Sequence, residues 1–153
     1  MTKSIWAAAA LGIAALAPAA CSEAPEQAPT NGPDAPAGIA VSNGRLMLPA
    51  VKGNPGAVYF EIKNDSDRNM VIRAVSVAGA GSAEMHNKDM QMVLQQAVAP
   101  GSTSSFAPGG AHVMVMDIGD TVTAGGEAEV TLTFVGGDKA SFPAEVRAAG
   151  DER

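Results

Sequence analysis

One cysteine, Cys21, is all the thiol this 153-residue chain has, so no internal disulfide can close. Positive charge is also scarce: ten Lys and Arg stand against sixteen Asp and Glu, a formal net charge of −6. Such a balance argues against nucleic acid and against electrostatic adhesion to anionic lipid, both of which need a basic surface. Catalytic signatures are missing as well. There is no phosphate-cradling glycine loop, no Gly-x-Ser-x-Gly elbow, no His-Glu-x-x-His and no pair of carboxylates set apart by context, so the chain is not expected to be an enzyme. Beyond the first twenty residues no segment carries a helical period.

Those first twenty residues are expected to be an export signal. Lys3 supplies the positive end, Ile5 to Leu16 an apolar stretch too short to be a convincing membrane span, and Ala17-Pro18-Ala19-Ala20 a small-residue cleavage zone. Cys21 follows at once, where a bacterial lipoprotein signal places the cysteine that is acylated. Pro18 stands where an aliphatic residue is usual, and ordinary cleavage after Ala17-Pro18-Ala19 is the alternative. Either way the domain is exported to the periplasm or cell envelope, with a lipid on Cys21 as its membrane anchor in the first case. Residues 21–37 hold prolines and acids with no large apolar side chain, so they form a tether that cannot offset the entropy of ordering. The remaining residues 38–147 suit one domain with one core, here expected to be a monomer, and 148–153 are a short tail.

The domain reads as all-β. Val58, Phe60 and Ile62 alternate with Tyr59, Glu61 and Lys63, and Val130, Leu132 and Phe134 alternate with Thr131 and Thr133. Further strands are expected over Ile39 to Leu48, Met70 to Val77, Asp89 to Gln95, Ser102 to Phe106, His112 to Ile118 and Ala140 to Val146. Turn residues such as Asn54-Pro55-Gly56, Pro108-Gly109-Gly110 and Gly136-Gly137-Asp138 separate them. Short strands at this spacing, with no helix to cover a face, indicate an antiparallel sandwich or barrel.

Both histidines and five of the eight methionines (85, 90, 92, 114 and 116) fall between Met85 and Met116. A core built for packing would spread its methionines through every strand. Imidazole nitrogen with thioether sulfur and no thiolate is a soft donor set, which suits Cu(I) better than zinc, magnesium or calcium. A blue-copper electron-transfer centre is excluded on the same ground, because Cys21 lies outside the domain. The strand period puts His112 and Met114 on one face, and Met90, Met92 and Leu94 on one face of the Asp89 to Gln95 segment, with His86 on a loop folding over the strand ends. Met47, Met70 and Met116 read as packing residues, and Met85 points away from His86.

These residues resemble a known family. Gly56-Ala57-Val58-Tyr59-Phe60-Glu61-Ile62-Lys63-Asn64, then Ala83-Glu84-Met85-His86, then Pro108-Gly109-Gly110-Ala111-His112-Val113-Met114, follow the order found in the periplasmic copper chaperones called PCu(A)C. That resemblance spans about Ile39 to Val146. It implies a cupredoxin-like Greek-key β-sandwich holding Cu(I) through His86, His112, Met114 and one of Met90 and Met92. The family's usual interval of about ten residues between the first histidine and methionine is shortened here, and the sequence does not choose between the two sulfurs. The implied role is copper delivery, with cytochrome c oxidase or an assembly factor as acceptor. The alternative is a non-catalytic lipoprotein whose methionines form a contact patch for a protein partner.

Overall fold

The computed structural model describes residues 35–151. The expected signal 1–20, Cys21, most of the tether and the last two residues of the tail lie outside the described residues.

Nine strands and no helix make up the described chain: β1 (Ile39–Met47), β2 (Gly56–Asn64), β3 (Met70–Val77), β4 (Ala80–His86), β5 (Gln96–Val98), β6 (Ser102–Phe106), β7 (His112–Ile118), β8 (Glu127–Phe134) and β9 (Lys139–Arg147). Where the sequence alternates, burial alternates with it. Val58, Phe60 and Ile62 on β2 and Val130, Leu132 and Phe134 on β8 are all buried, each worth about 1.5–3 kcal/mol of transfer free energy. All four phenylalanines are buried, and Phe60 stacks on Phe106 at 4.3 Å between ring centroids and tilts against Phe142 at 5.2 Å.

The strands form one sheet in the order β4-β7-β2-β1-β9-β8-β3-β5, with β6 pairing the far end of β2. β3 and β4 follow each other in the chain yet stand well apart on this path, so the sheet curls on itself around a single core. The expectation of antiparallel pairing holds with one exception: β1 runs parallel to β9, Arg45 opposite Glu145 and Met47 opposite Arg147. A parallel pair needs a long connection, and here the whole domain lies between the two strands.

Two expectations are corrected. Asp89 to Gln95 is not a strand, and β4 and β5 on either side of it were not foreseen. Met90, Met92 and Leu94 do alternate, but they are 60%, 56% and 74% exposed, so the alternation has no core to face. β4 is an edge strand of small and polar residues, held by its partner β7 rather than by its own propensity.

A bulge in β1 positions the site. Between Ser42, opposite Glu61, and Arg45, opposite Tyr59, β1 carries one residue more than β2, and Asn43 there has φ 56°. A Cβ on Gly44 would sit 2.8 Å from the Phe142 ring and from the Pro143 carbonyl oxygen, so the bulge requires glycine. Ile39 and Val41 face the core before the bulge, and Leu46 faces it after. The extra residue therefore turns Met47 to the outer face.

Candidate metal centre

The outer face of β4 and β7 gathers the donors. Residues directly opposite on antiparallel strands share a face, and His86 is opposite His112 while Glu84 is opposite Met114. Met92 adds an isolated bridge on the free side of His86, so His112, His86 and Met92 form one cross-strand row. His86 is thus the last residue of β4 rather than part of a loop over the strand ends. The two imidazoles lie 5.8 Å apart between centroids at 23° between planes.

Backbone carbonyls fix both rings. His86 Nδ1 lies 3.1 Å from the Met90 carbonyl oxygen, and His112 Nδ1 lies 3.0 Å from that of Gly110. A carbonyl can only accept, so in the neutral ring the proton sits on Nδ1 and the Nε2 lone pair is left to coordinate. His86 Nε2 is buried without a hydrogen-bond partner. The Glu84 carboxylate approaches it only to 3.5 Å, a distance of ion-pair contact rather than of a good hydrogen bond. An orphaned lone pair beside a second one is an opening for a soft cation. Among the described residues no three His, Cys, Asp or Glu side chains are grouped to hold a metal, and the side chain that shares the face beside His112 is the thioether of Met114.

The Gly110 carbonyl is delivered by a tight turn. Gly110 N–H donates to Ala107 at 2.9 Å, with Pro108 and Gly109 (φ 76°) at the centre, where proline fixes the entry and glycine supplies the positive φ. The Met90 carbonyl is delivered by a second turn. Asn87 Oδ1 accepts from the backbone N–H of Asp89 at 2.9 Å and of Gln91 at 3.0 Å, and Met90 at its tip has φ 62°. A non-glycine residue in this region costs on the order of 1 kcal/mol. Met90→Gly is therefore expected to raise or hold thermal stability, by up to about 1 kcal/mol, while lowering copper affinity. A denaturant melt beside a Cu(I) titration checks both directions.

His112, Met114 and Met90 line a pocket of about 380 Å³ together with Met47, Tyr59 and Lys88. His86, opposite His112, and Met92, opposite His86, do not line it. Met85 and Met70 lie in the core. Met116 shares the face of His112 and Met114, opposite Ser82, and is only half-buried; it is not among the core residues. Met47, read from the sequence as packing, is 7% exposed but belongs to the pocket wall and not to the core cluster. The bulge at Asn43-Gly44 was the one signal that could have found it.

The family model described as "LpqE-like: Putative lipoprotein LpqE-like" matches residues 39–146. The relative described as "Putative lipoprotein Lxx21020", from Leifsonia xyli subsp. xyli, is 28% identical over 131 residues, 80% of this chain and 77% of the relative. Among solved structures, a copper-bound PCuAC domain from PmoF2 is 26% identical, covers 82% of this chain and 99% of its own, and superposes with a TM-score of 0.66. The Cu(I) form of DR1885 from Deinococcus radiodurans, 20% identical over 72% of this chain and 78% of its own, gives a TM-score of 0.61 and speaks for the fold alone. The fold is thus the cupredoxin-like one of PCuAC domains.

Proposed function

The chain belongs to the LpqE-like lipoprotein family, and from that premise we propose that its domain binds Cu(I) and carries it in the cell envelope. The observation that supports this most is the pair of facing imidazoles, His86 and His112, each with Nδ1 tied to a carbonyl and His86 with Nε2 lacking a hydrogen-bond partner, beside the Met114 thioether. Cu(I) accepts imidazole together with thioether, whereas zinc takes its sulfur from thiolates and the hard cations take oxygen. Thioethers carry no proton to lose and, unlike thiolates, cannot be oxidised to disulfides outside the cytoplasm. The domain has no catalytic role in this reading. Copper-bound PCuAC relatives support it, and an acceptor in cytochrome c oxidase assembly is the finer proposal.

The His-Met face can release as well as hold. Met90 and Met92 stand out of the surface at 60% and 56% exposure, so an acceptor can replace thioethers one at a time without opening the core. Their exposure, with that of Leu94, also favours the second reading, a contact patch for a protein partner. Anaerobic titration of Cu(I) against a chromogenic chelator separates the two. Met114→Leu keeps apolar bulk, so it is expected to weaken Cu(I) binding at least tenfold while changing stability by under about 1.5 kcal/mol. No competition by wild type would favour the patch, and equal competition by wild type and variant would remove Met114 from the donors.

Anchoring through Cys21 is part of the proposal. Cys21→Ser is expected to move the protein from the membrane fraction to the soluble fraction. A wild type already soluble after fractionation would instead mean ordinary signal cleavage.

A further inference from the structure

The donors on the outer face continue past the two histidines. Met47 is opposite Ala57, Ala57 is opposite Met114, and Met114 is opposite Glu84, so these four residues form one row across β1, β2, β7 and β4. The row behind it, Leu46, Val58, Val113 and Met85, is core. Strands stand about 4.8 Å apart, which places Met47 and Met114 roughly 10 Å apart at the backbone. Only the methyl of Ala57 lies between them, and two long unbranched side chains can lean over it from both sides. Both line the pocket of about 380 Å³ that Met90 also lines, while His86 does not reach it.

We propose that Met47, Met90 and Met114 form a second Cu(I) position in this pocket, all thioether, joined through the shared Met114 to the position between His86 and His112. The proposal rests on the copper-binding reading of the site. Three neutral sulfurs select Cu(I) over Cu(II), which prefers nitrogen and oxygen donors. Methionine suits a position that must be filled and emptied, being flexible and polarizable. Lys88 also lines the pocket, but its ammonium pairs with the Asp89 carboxylate at 2.8 Å, which offsets its charge towards an incoming cation. Copper would pass between the two positions by exchanging imidazole for thioether around Met114, with no change of oxidation state and no proton released.

The test is anaerobic Cu(I) titration of the mature chain, followed by chelator competition and by the ε-methyl resonances of labelled methionines. Wild type is expected to bind a second equivalent roughly 100-fold more weakly than the first, because two unit cations would sit within a nanometre of each other. The Met47 methyl, assigned by its absence in Met47→Leu, should move only with the second equivalent, and the Met114 methyl with both. Met47→Leu should lose the second equivalent and keep the first. The methyl readout works on wild type, so the outcome does not depend on how well a variant folds. A wild type that stops at one equivalent, or a Met47 methyl that never responds, overturns the second position and leaves the first standing. No binding at all would overturn the copper reading itself.

Discussion

His112→Ala is expected to weaken Cu(I) binding by more than about 100-fold, the largest single loss at the site. Changes to groups that merely orient a metal ligand cost about 10–100-fold, and this one removes the ligand itself. His112 stands between His86 on β4 and the pocket that holds Met114 and Met90, so no other imidazole lies on that side. The fold should be indifferent to it. The buried neighbours Val113 and Val115 point the other way, and a half-buried side chain on the outer face contributes under about 1 kcal/mol. His86→Ala removes the other lone pair and also the contact from Nδ1 to the Met90 carbonyl that steadies the Asn87 turn. Its loss should therefore approach that of His112, although the shortened interval to Met90 first suggests an intermediate effect. Chelator competition measures both, with a thermal melt of each variant to separate lost ligands from lost fold. Affinity that survives His112→Ala would sink the site assignment.

The strands that were legible in the sequence are those that bury one face. β2 and β8 alternate because their apolar residues meet the core, and the period of two follows directly from the pleat. β4 was not legible, because Ala80-Gly81-Ser82-Ala83-Glu84 has little strand propensity and owes its conformation to hydrogen bonds with β7. The segment from Asp89 to Gln95 misled for the opposite reason. Its alternating Met90, Met92 and Leu94 have the strand period, but the Asn87 side chain closes a turn around Met90 and leaves all three exposed. The grouping of His86, His112 and Met114 was visible in the chain as a cluster of soft donors, while their pairing across β4 and β7 was not. Met47 shows the limit most clearly. Continuing the period from Ile39 and Val41 places it in the core, and a single extra residue at Asn43-Gly44 reverses that face.

Asn64→Ala is expected to cost about 2–4 kcal/mol of stability, the largest structural effect of any single polar side chain in the described chain. Asn64 is fully buried at the end of β2, and its amide ties two separate segments, the turn after β2 and β5. Nδ2 donates to the Arg68 carbonyl at 2.8 Å and to the Val98 carbonyl at 2.9 Å, and Oδ1 accepts from Ser66 N–H at 3.0 Å and from its hydroxyl at 2.6 Å. Alanine would leave the Val98 carbonyl in the interior without the donor that Asn64 Nδ2 supplies. Val98 belongs to β5, which closes the segment that begins after His86 and carries Met90 and Met92. The substitution should therefore loosen those two sulfurs while leaving His112 and Met114, fixed on β7, in place. Copper bound to the native state adds RT ln(1 + [L]/Kd), about 2.7 kcal/mol at a hundredfold excess over Kd. A denaturation series with and without Cu(I) reads both quantities at once. The variant should unfold early when empty and recover most of the difference when loaded. Failure to recover would mean that Met90 and Met92, not the β7 donors, carry most of the binding.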